Sequence, residues 1–136
     1  MDIKPYSTND EEKLFDMLRE EGAEWSSYWG EPTMKNYKKA LASSIVFVAY
    51  EGGELCGYVR CRDDDGFGVY VYDLLVRKSR RGKSLGRRLL EQVCLRYPDD
   101  TVYVMSDADE YYEKQGYRRE GSIFEVRVQK GDDNRG

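Results

Sequence analysis

The sequence predicts a mixed α/β fold with a mostly antiparallel sheet of about six or seven strands and helices on both faces. It reads as a single domain over residues 1–130 followed by a polar tail, 131–136. Three stretches carry that prediction. Val69 to Tyr97 passes from a β-branched and aromatic run through a cationic loop into a helix-periodic segment. Before it, Ile45 to Val76 holds three apolar runs separated by Gly52-Gly53 and by Asp63-Asp64-Asp65-Gly66, the pattern of an antiparallel meander. Earlier still, Leu14, Phe15, Met17 and Leu18 recur at helical spacing behind the acids Asp10, Glu11 and Glu12, which favour a helix N-terminus.

Taken in order, Met1 to Tyr6 suits a short edge strand with Pro5 near its end. Asn9 or Asp10 caps the first helix and Gly22 stops it. Ala23 to Pro32, with Trp25, Tyr28, Trp29 and Gly30 between Glu24 and Glu31, has no clean period and reads as a loop or short helix. Pro32 suits the first turn of a helix carrying Met34, Tyr37 and Leu41 on one side. Strands follow at Ile45–Tyr50, Leu55–Arg62 and Phe67–Val76. The third is apolar on both faces up to Asp73, as in a central strand covered on each side. Leu85, Leu89, Leu90, Val93 and Tyr97 mark the helix after the basic loop, and Pro98 ends it. A strand at Thr101–Met105 is followed by a short helix capped by Ser106 or Asp107, with Asp109 or Glu110 as box partner and Gly116 as a left-handed stop. Tyr117 to Val128 predicts one or two further strands.

The composition removes several classes of function. With 40% hydrophobic and 35% charged residues and 12 tyrosines, the chain is too aromatic for disorder and too polar for a membrane protein. No apolar run approaches the ~18 residues of a membrane span, and the first residues lack the apolar core of a secretion signal, so a cytoplasmic address is expected. Three cysteines without CxxC spacing suggest core residues, with neither a disulfide framework nor a metal site. A net charge of −4 argues against nucleic acid as a partner. The absence of histidine removes the usual general base and every Ser-His or Cys-His nucleophile arrangement.

The cationic loop and the helix start after it form a natural seat for a polyanion, because the first turn of a helix leaves backbone N–H groups unbonded. Gly82-Lys83-Ser84 invites a nucleotide P-loop, but that motif needs a glycine where this chain has Arg77. A different pattern fits. Arg81-Gly82-Lys83-Ser84-Leu85-Gly86 resembles the acyl-coenzyme A loop of the GNAT N-acetyltransferase superfamily, with Ser84 where the family usually has glycine. The likeness extends through Asp73, Leu74, Val76, Leu89 and Leu90. A second block, Ala108 to Tyr117, resembles the family's "Ala-x-x-x-Tyr-Glu-Lys-x-Gly-Phe" signature. The two blocks stand in the expected order.

The resemblance implies a GNAT fold and transfer of an acetyl group from acetyl-coenzyme A to a primary amine, by direct attack in a ternary complex. Backbone groups of Arg81, Gly82, Lys83, Ser84, Leu85, Gly86 and Arg87 would hold the pyrophosphate, with Ser84 expected to keep a negative φ. A bulged or splayed strand at Leu74, Leu75 and Val76 would receive the pantetheine arm and the thioester oxygen. Tyr112 would serve as general acid or sulfur ligand. Asp73, a charge in an apolar strand, either pairs with an arginine or backbone N–H or helps to deprotonate or orient the amine. Glu24, Trp25, Tyr28 and Trp29 suit a cationic acceptor or simply cover one end of the core. The acceptor is a small-molecule or peptide amine, and a homodimer is left open. The competing classes are a non-catalytic acyl-coenzyme A-binding module and a nucleic-acid-binding module that uses the basic loop.

Overall fold

The structure, a computed structural model, describes Met1–Gln129; the expected tail at 131–136 lies outside the described residues. The chain divides into two compact units, Met1–Met105 and the part from Ser106 onward. In the first unit a sheet of five strands runs in the order β1-β2-β3-β4-β5. These are β1 (Asp2–Pro5), β2 (Ile45–Glu51), β3 (Glu54–Asp63), β4 (Val69–Val76) and β5 (Val102–Val104). The first three pairings are antiparallel and the last is parallel, so the sheet is mixed and mostly antiparallel, as expected.

The helices are α1 (Glu11–Glu21), α2 (Ser26–Trp29), α3 (Met34–Ser43) and α4 (Leu85–Arg96) in the first unit and α5 (Asp109–Lys114) in the second. On one sheet face Leu14, Phe15, Met17 and Leu18 of α1 pack with Tyr37 and Leu41 of α3 onto Val46, Val48, Leu55, Tyr58 and Leu75. The other face receives Leu85, Leu89, Leu90 and Val93 of α4. Gly57 lets that helix come close: a Cβ there would lie 3.2 Å from a Leu89 methyl and 3.1 Å from the Leu75 carbonyl. The β2–β3 turn places Gly52 at φ 58° and Gly53 at φ 82°, the left-handed pair that a two-residue hairpin requires.

One irregularity in β4 positions the site. Arg60 pairs with Asp73 while the next residue, Cys61, pairs with Val71, so Tyr72 is extra. Such a bulge switches which sheet face the following side chains occupy. Val71 shares the α4 face with Cys61; Asp73, two residues on, shares the α1–α3 face with Arg60 and Tyr58.

Asp10 stands at the N-cap of α1, as expected, and its carboxylate accepts the Ser7 N–H at 2.8 Å, closing a box around the 3-10 turn Thr8–Asp10 that leads into the helix. Other expectations change. Helix α5 has Ala108 at its cap, and the Ser106 hydroxyl accepts the Ala108 N–H at 3.0 Å. Cys94 is exposed, whereas Cys56 and Cys61 are core residues. Tyr117 to Val128 carries no strand. Its Ile123, Phe124, Val126 and Val128 side chains are 61%, 83%, 90% and 95% exposed, so the alternation has no apolar face to bury and no pairing partner to hold it.

Candidate functional site

Two structural features lie along β4 and the loop after it. The first is the helix start. Gly82 has φ 80° and Ser84 has φ 63°, so Ser84 is left-handed, contrary to the negative φ expected. The strain explains the glycine that the resembling family usually places there. The first helical hydrogen bond is from Arg88 N–H to the Ser84 carbonyl, 3.0 Å, which leaves the N–H groups of Leu85, Gly86 and Arg87 without an intrahelical acceptor. Ser84 makes no side-chain cap, and residues 81–84 and 87–88 are exposed.

The arginines leading into this turn anchor it. Arg81 donates from Nε to the Val76 carbonyl at 2.8 Å and from Nη2 to Glu21 at 2.6 Å. Arg77 pairs with Glu20 and donates to the Leu55 carbonyl at 3.1 Å; Arg80 lies 3.1 Å from Glu51 and 3.0 Å from Glu54. Four acids thus occupy these three guanidinium groups. Lys78, Lys83 and Arg88 have no ion pair among the described residues, and Arg87 lies 3.8 Å from Glu91. Cations without an ion pair and N–H groups without an intrahelical acceptor therefore meet at this turn, and such a donor set fits a pyrophosphate.

The second feature is the open edge of β4. Its pairing with β5 covers only Val69–Val71, extended by Met105 N–H to the Val71 carbonyl at 2.9 Å, while its pairing with β3 continues to Val76. Arg77 N–H points at β3, where it meets the Cys56 carbonyl at 2.8 Å. Backbone alternation then turns Leu75 the same way and Leu74 and Val76 away from β3. The bulge sits at Tyr72, earlier than the Leu74–Val76 span predicted, and the splay follows it.

Asp73 is 4% exposed. Its Oδ2 accepts from Arg60 Nε at 2.5 Å and from the Tyr37 hydroxyl at 2.6 Å, and its Oδ1 accepts from the Tyr28 hydroxyl at 3.2 Å. Tyr37 spends its single hydrogen on Asp73, so the Tyr58 hydroxyl, 2.7 Å away, donates to Tyr37. Burial, then the Asp73 charge, pushes the Tyr37 phenol far above its usual value. Burial does the same to Tyr58, with Tyr37 and Asp73 adding to it. Burial works against the Arg60 cation, but the hydrogen bond and charge of Asp73 outweigh it and raise its pKa. The guanidinium also lies over the Tyr37 and Tyr72 rings, at 5.5 and 5.4 Å.

Of the aromatic cluster, only Tyr28 reaches Asp73. The Trp25 ring lies tilted against Tyr28, 5.1 Å between centroids, Trp29 Nε1 donates to the Gly22 carbonyl at 3.2 Å, and both pack on the core; Glu24 is exposed. Tyr37, Tyr58 and Arg60 escaped the sequence reading. The signal for Arg60 was an arginine inside the apolar run Leu55–Cys61, opposite in charge to the acid in the next strand. In the second unit Tyr112 is half-buried and lies near Tyr111 and Tyr117, at 5.0 and 6.4 Å between ring centroids. Burial, with Asp107, Tyr111 and Tyr117, pushes its phenol up to about 12.

Comparison with known proteins gives the family. Residues 42–119 match the model of the acetyltransferase (GNAT) domain. The chain belongs to the GNAT superfamily. A curated relative, an uncharacterized N-acetyltransferase ycf52 of Pyropia yezoensis, is 24% identical over 99 residues, which cover 65% of this chain and 57% of the relative. The chain spans little more than half the length of the curated relatives it matches. Among solved structures, a GNAT-family acetyltransferase of Streptococcus pneumoniae TIGR4 superposes with a TM-score of 0.70 at 21% identity, covering 93% of this chain and 98% of its own. An aminoglycoside acetyltransferase from an uncultured soil metagenomic sample has a TM-score of 0.70 at 23% identity, covering 94% and 98%. These likenesses establish the GNAT fold.

Proposed function

We propose that this protein is an amine N-acetyltransferase that binds acetyl-coenzyme A and a primary amine, small-molecule or peptide, in one ternary complex. The observation that carries the reading is the turn at Gly82–Arg87, where N–H groups without an intrahelical acceptor and the exposed cations Lys83 and Arg88 stand one loop away from the open edge of β4. A bound acetyl-coenzyme A supplies an activated acyl group there. The N–H groups of Leu85, Gly86 and Arg87 would hold its phosphates, and those of Leu74 and Val76 are donors for pantetheine or thioester oxygens. A chain without histidine offers no Ser-His or Cys-His pair, which favours direct attack by the amine.

Tyr112 takes the sulfur-side role that the resemblance assigns to it. At about 12 its phenol stays protonated at every physiological pH and is a permanent donor. Full transfer of that proton to a thiolate of reference pKa ~8.5 would be uphill by roughly 5 kcal/mol, so Tyr112 acts chiefly as a hydrogen-bond donor. Two measurements test the proposal. Acetyl-coenzyme A should raise the melting temperature, and coenzyme A release should respond to one member of a panel of spermidine, kanamycin, glucosamine 6-phosphate and an Ala-initiated peptide. A thermal shift with no release from any amine would favour the non-catalytic module.

A further inference from the structure

Helix α1 ends on Glu20 and Glu21, two acids in a last turn whose unbonded carbonyls favour cations. Both are committed to the turn after β4: Glu20 to Arg77, and Glu21 to Arg81 Nη2 at 2.6 Å. The Glu21 side chain is 12% exposed against 61% for Glu20, so Glu21 is the acid that the fold encloses. A charge placed against the helix dipole and half out of water breaks a local rule, and such a breach marks a residue on which something else depends.

What depends on Glu21 is Arg81. While Nη2 meets Glu21, Nε donates at 2.8 Å to the Val76 carbonyl, which the phase of β4 directs at its open edge. Before Arg81 the turn is closed by backbone bonds, from Arg80 N–H to the Arg77 carbonyl at 2.8 Å and from Arg81 N–H to the Lys78 carbonyl at 3.3 Å. After it, Gly82, Lys83 and Ser84 donate no backbone hydrogen bond among the described residues, and the next bond is that from Arg88 to Ser84. The stretch that leads to the anion seat is therefore fixed at its entry by Arg81 and at its exit by α4. We infer that Glu21 is a positioning residue for coenzyme binding: by holding Arg81 against Val76 it sets the turn and the end of the open edge in their receiving shape before the coenzyme arrives. This rests on the acetyl-coenzyme A reading above and adds to it a residue of α1 that acts through another. Arg81 is then a brace, and Lys83 and Arg88 supply the charge for the phosphates.

The effect has a sign opposite to that of simple electrostatics. The coenzyme is a polyanion, so by Coulomb's law alone the loss of a nearby acid strengthens its binding. Loss of a positioning acid weakens it. Glu21→Gln keeps the size of the side chain and removes its charge, and by calorimetry the acetyl-coenzyme A Kd should rise about 3- to 30-fold. Glu91→Gln, which removes an exposed acid 3.8 Å from Arg87, should leave that Kd equal or lower it. With whichever of the four amines supports the fastest coenzyme A release, Glu21→Gln should raise the acetyl-coenzyme A KM in step with Kd and leave kcat and the amine KM within about twofold. Arg81→Gln should weaken binding to a similar extent, and the double variant no further than the weaker single one. All Kd values are taken well below each variant's melting temperature, so that a loss of stability does not enter them. An unchanged or lowered Kd in Glu21→Gln, a loss confined to kcat, or additive losses in the double variant overturns the positioning role. Wild-type binding of acetyl-coenzyme A alongside such a result would leave the acetyl-transfer reading standing, whereas a wild type that does not bind acetyl-coenzyme A would remove both.

Discussion

Replacing Arg60 by methionine isolates how much the buried carboxylate depends on its partner. The Arg60 and Asp73 side chains are 13% and 3% exposed, and the pair meets at 2.5 Å. Methionine fills much of the arginine stem's volume but leaves Asp73 as a charge held only by phenol hydroxyls, and breaking a buried pair in this way costs about 3–5 kcal/mol. For 136 residues that corresponds to a fall in melting temperature of roughly 10–17 °C. The companion variant Arg60→Met/Asp73→Leu removes both charges. Tyr37 can then bond to Tyr58 and Tyr28 to water, so the double variant should recover more than half of the single variant's loss. Urea and thermal unfolding of wild type, both single variants and the double variant give the coupling energy directly. A cost for Arg60→Met below about 1 kcal/mol would refute the reasoning, because Asp73 would then not be held as a buried charge.

Three further outcomes are expected. Ser84→Gly relieves a left-handed φ of 63° and should keep or raise the melting temperature by a few degrees, roughly, since about 1 kcal/mol of strain is offset by the unfolded-state entropy of glycine. Ser84→Val should cost about 1–2 kcal/mol, and equal stability of the two variants would contradict the backbone geometry. Asp10 has its pKa lowered: burial opposes this, but the Tyr50 hydroxyl at 2.6 Å, the Ser7 N–H and Lys4 outweigh it. A carboxyl whose folded pKa lies below its unfolded value of about 3.9 stabilises the fold above that pH and loses the contribution as pH falls through the folded value. Asp10→Asn should therefore be about 1–3 kcal/mol less stable than wild type at pH 7, with the gap closing below about pH 4; a constant gap between pH 7 and pH 2.5 would rule this out. Tyr112→Phe should lower kcat by about 10- to 100-fold. With the phenol at about 12, the wild-type rate should show no alkaline limb from Tyr112 up to pH 10, and unchanged turnover in the variant would remove its role at the sulfur.

The fold was legible wherever local pattern and burial agree. Helical spacing at Leu14–Leu18 and Leu85–Val93 corresponds to α1 and α4, Gly-Gly between two apolar runs to the β2–β3 hairpin, and Val69–Tyr97 to β4 followed by α4. The extra strands expected from Tyr117 to Val128 show the opposite case. Alternation marks a strand only when something pairs with it and covers one side, and neither condition can be read from a segment in isolation. At the site, Asp73 and Tyr28 were visible as a charge in an apolar strand and as an aromatic beside acids. Tyr37 and Tyr58 were not, because a tyrosine on a core face carries the same pattern whether its hydroxyl is bonded to an acid or to water. The roles of Arg77, Arg80 and Arg81 were equally hidden. A cluster of cations beside an anion seat reads as a mixture of solvated charge and phosphate contacts, yet Glu20, Glu21, Glu51 and Glu54 lie 20 or more residues away in sequence and reach those arginines only in the folded chain.

The bulge at Tyr72 joins these observations. In sequence, Val69, Val71, Asp73 and Leu75 alternate regularly and all are buried, a pattern that places the acid on the same face as the valines. Had the ladder stayed regular, Asp73 would point at the aliphatic side chains of α4, where no donor waits for it, at a cost of several kcal/mol. The extra residue instead turns Asp73 to the face of Arg60, Tyr37 and Tyr28, where its oxygens are bonded. The same shift changes the phase of the backbone. Upstream, Val69 and Val71 direct their polar groups at β5; downstream, Leu74 and Val76 direct theirs at the open edge. A single inserted residue thus presents the carboxylate to the tyrosine side and, one residue later, backbone donors to the open edge of the same strand.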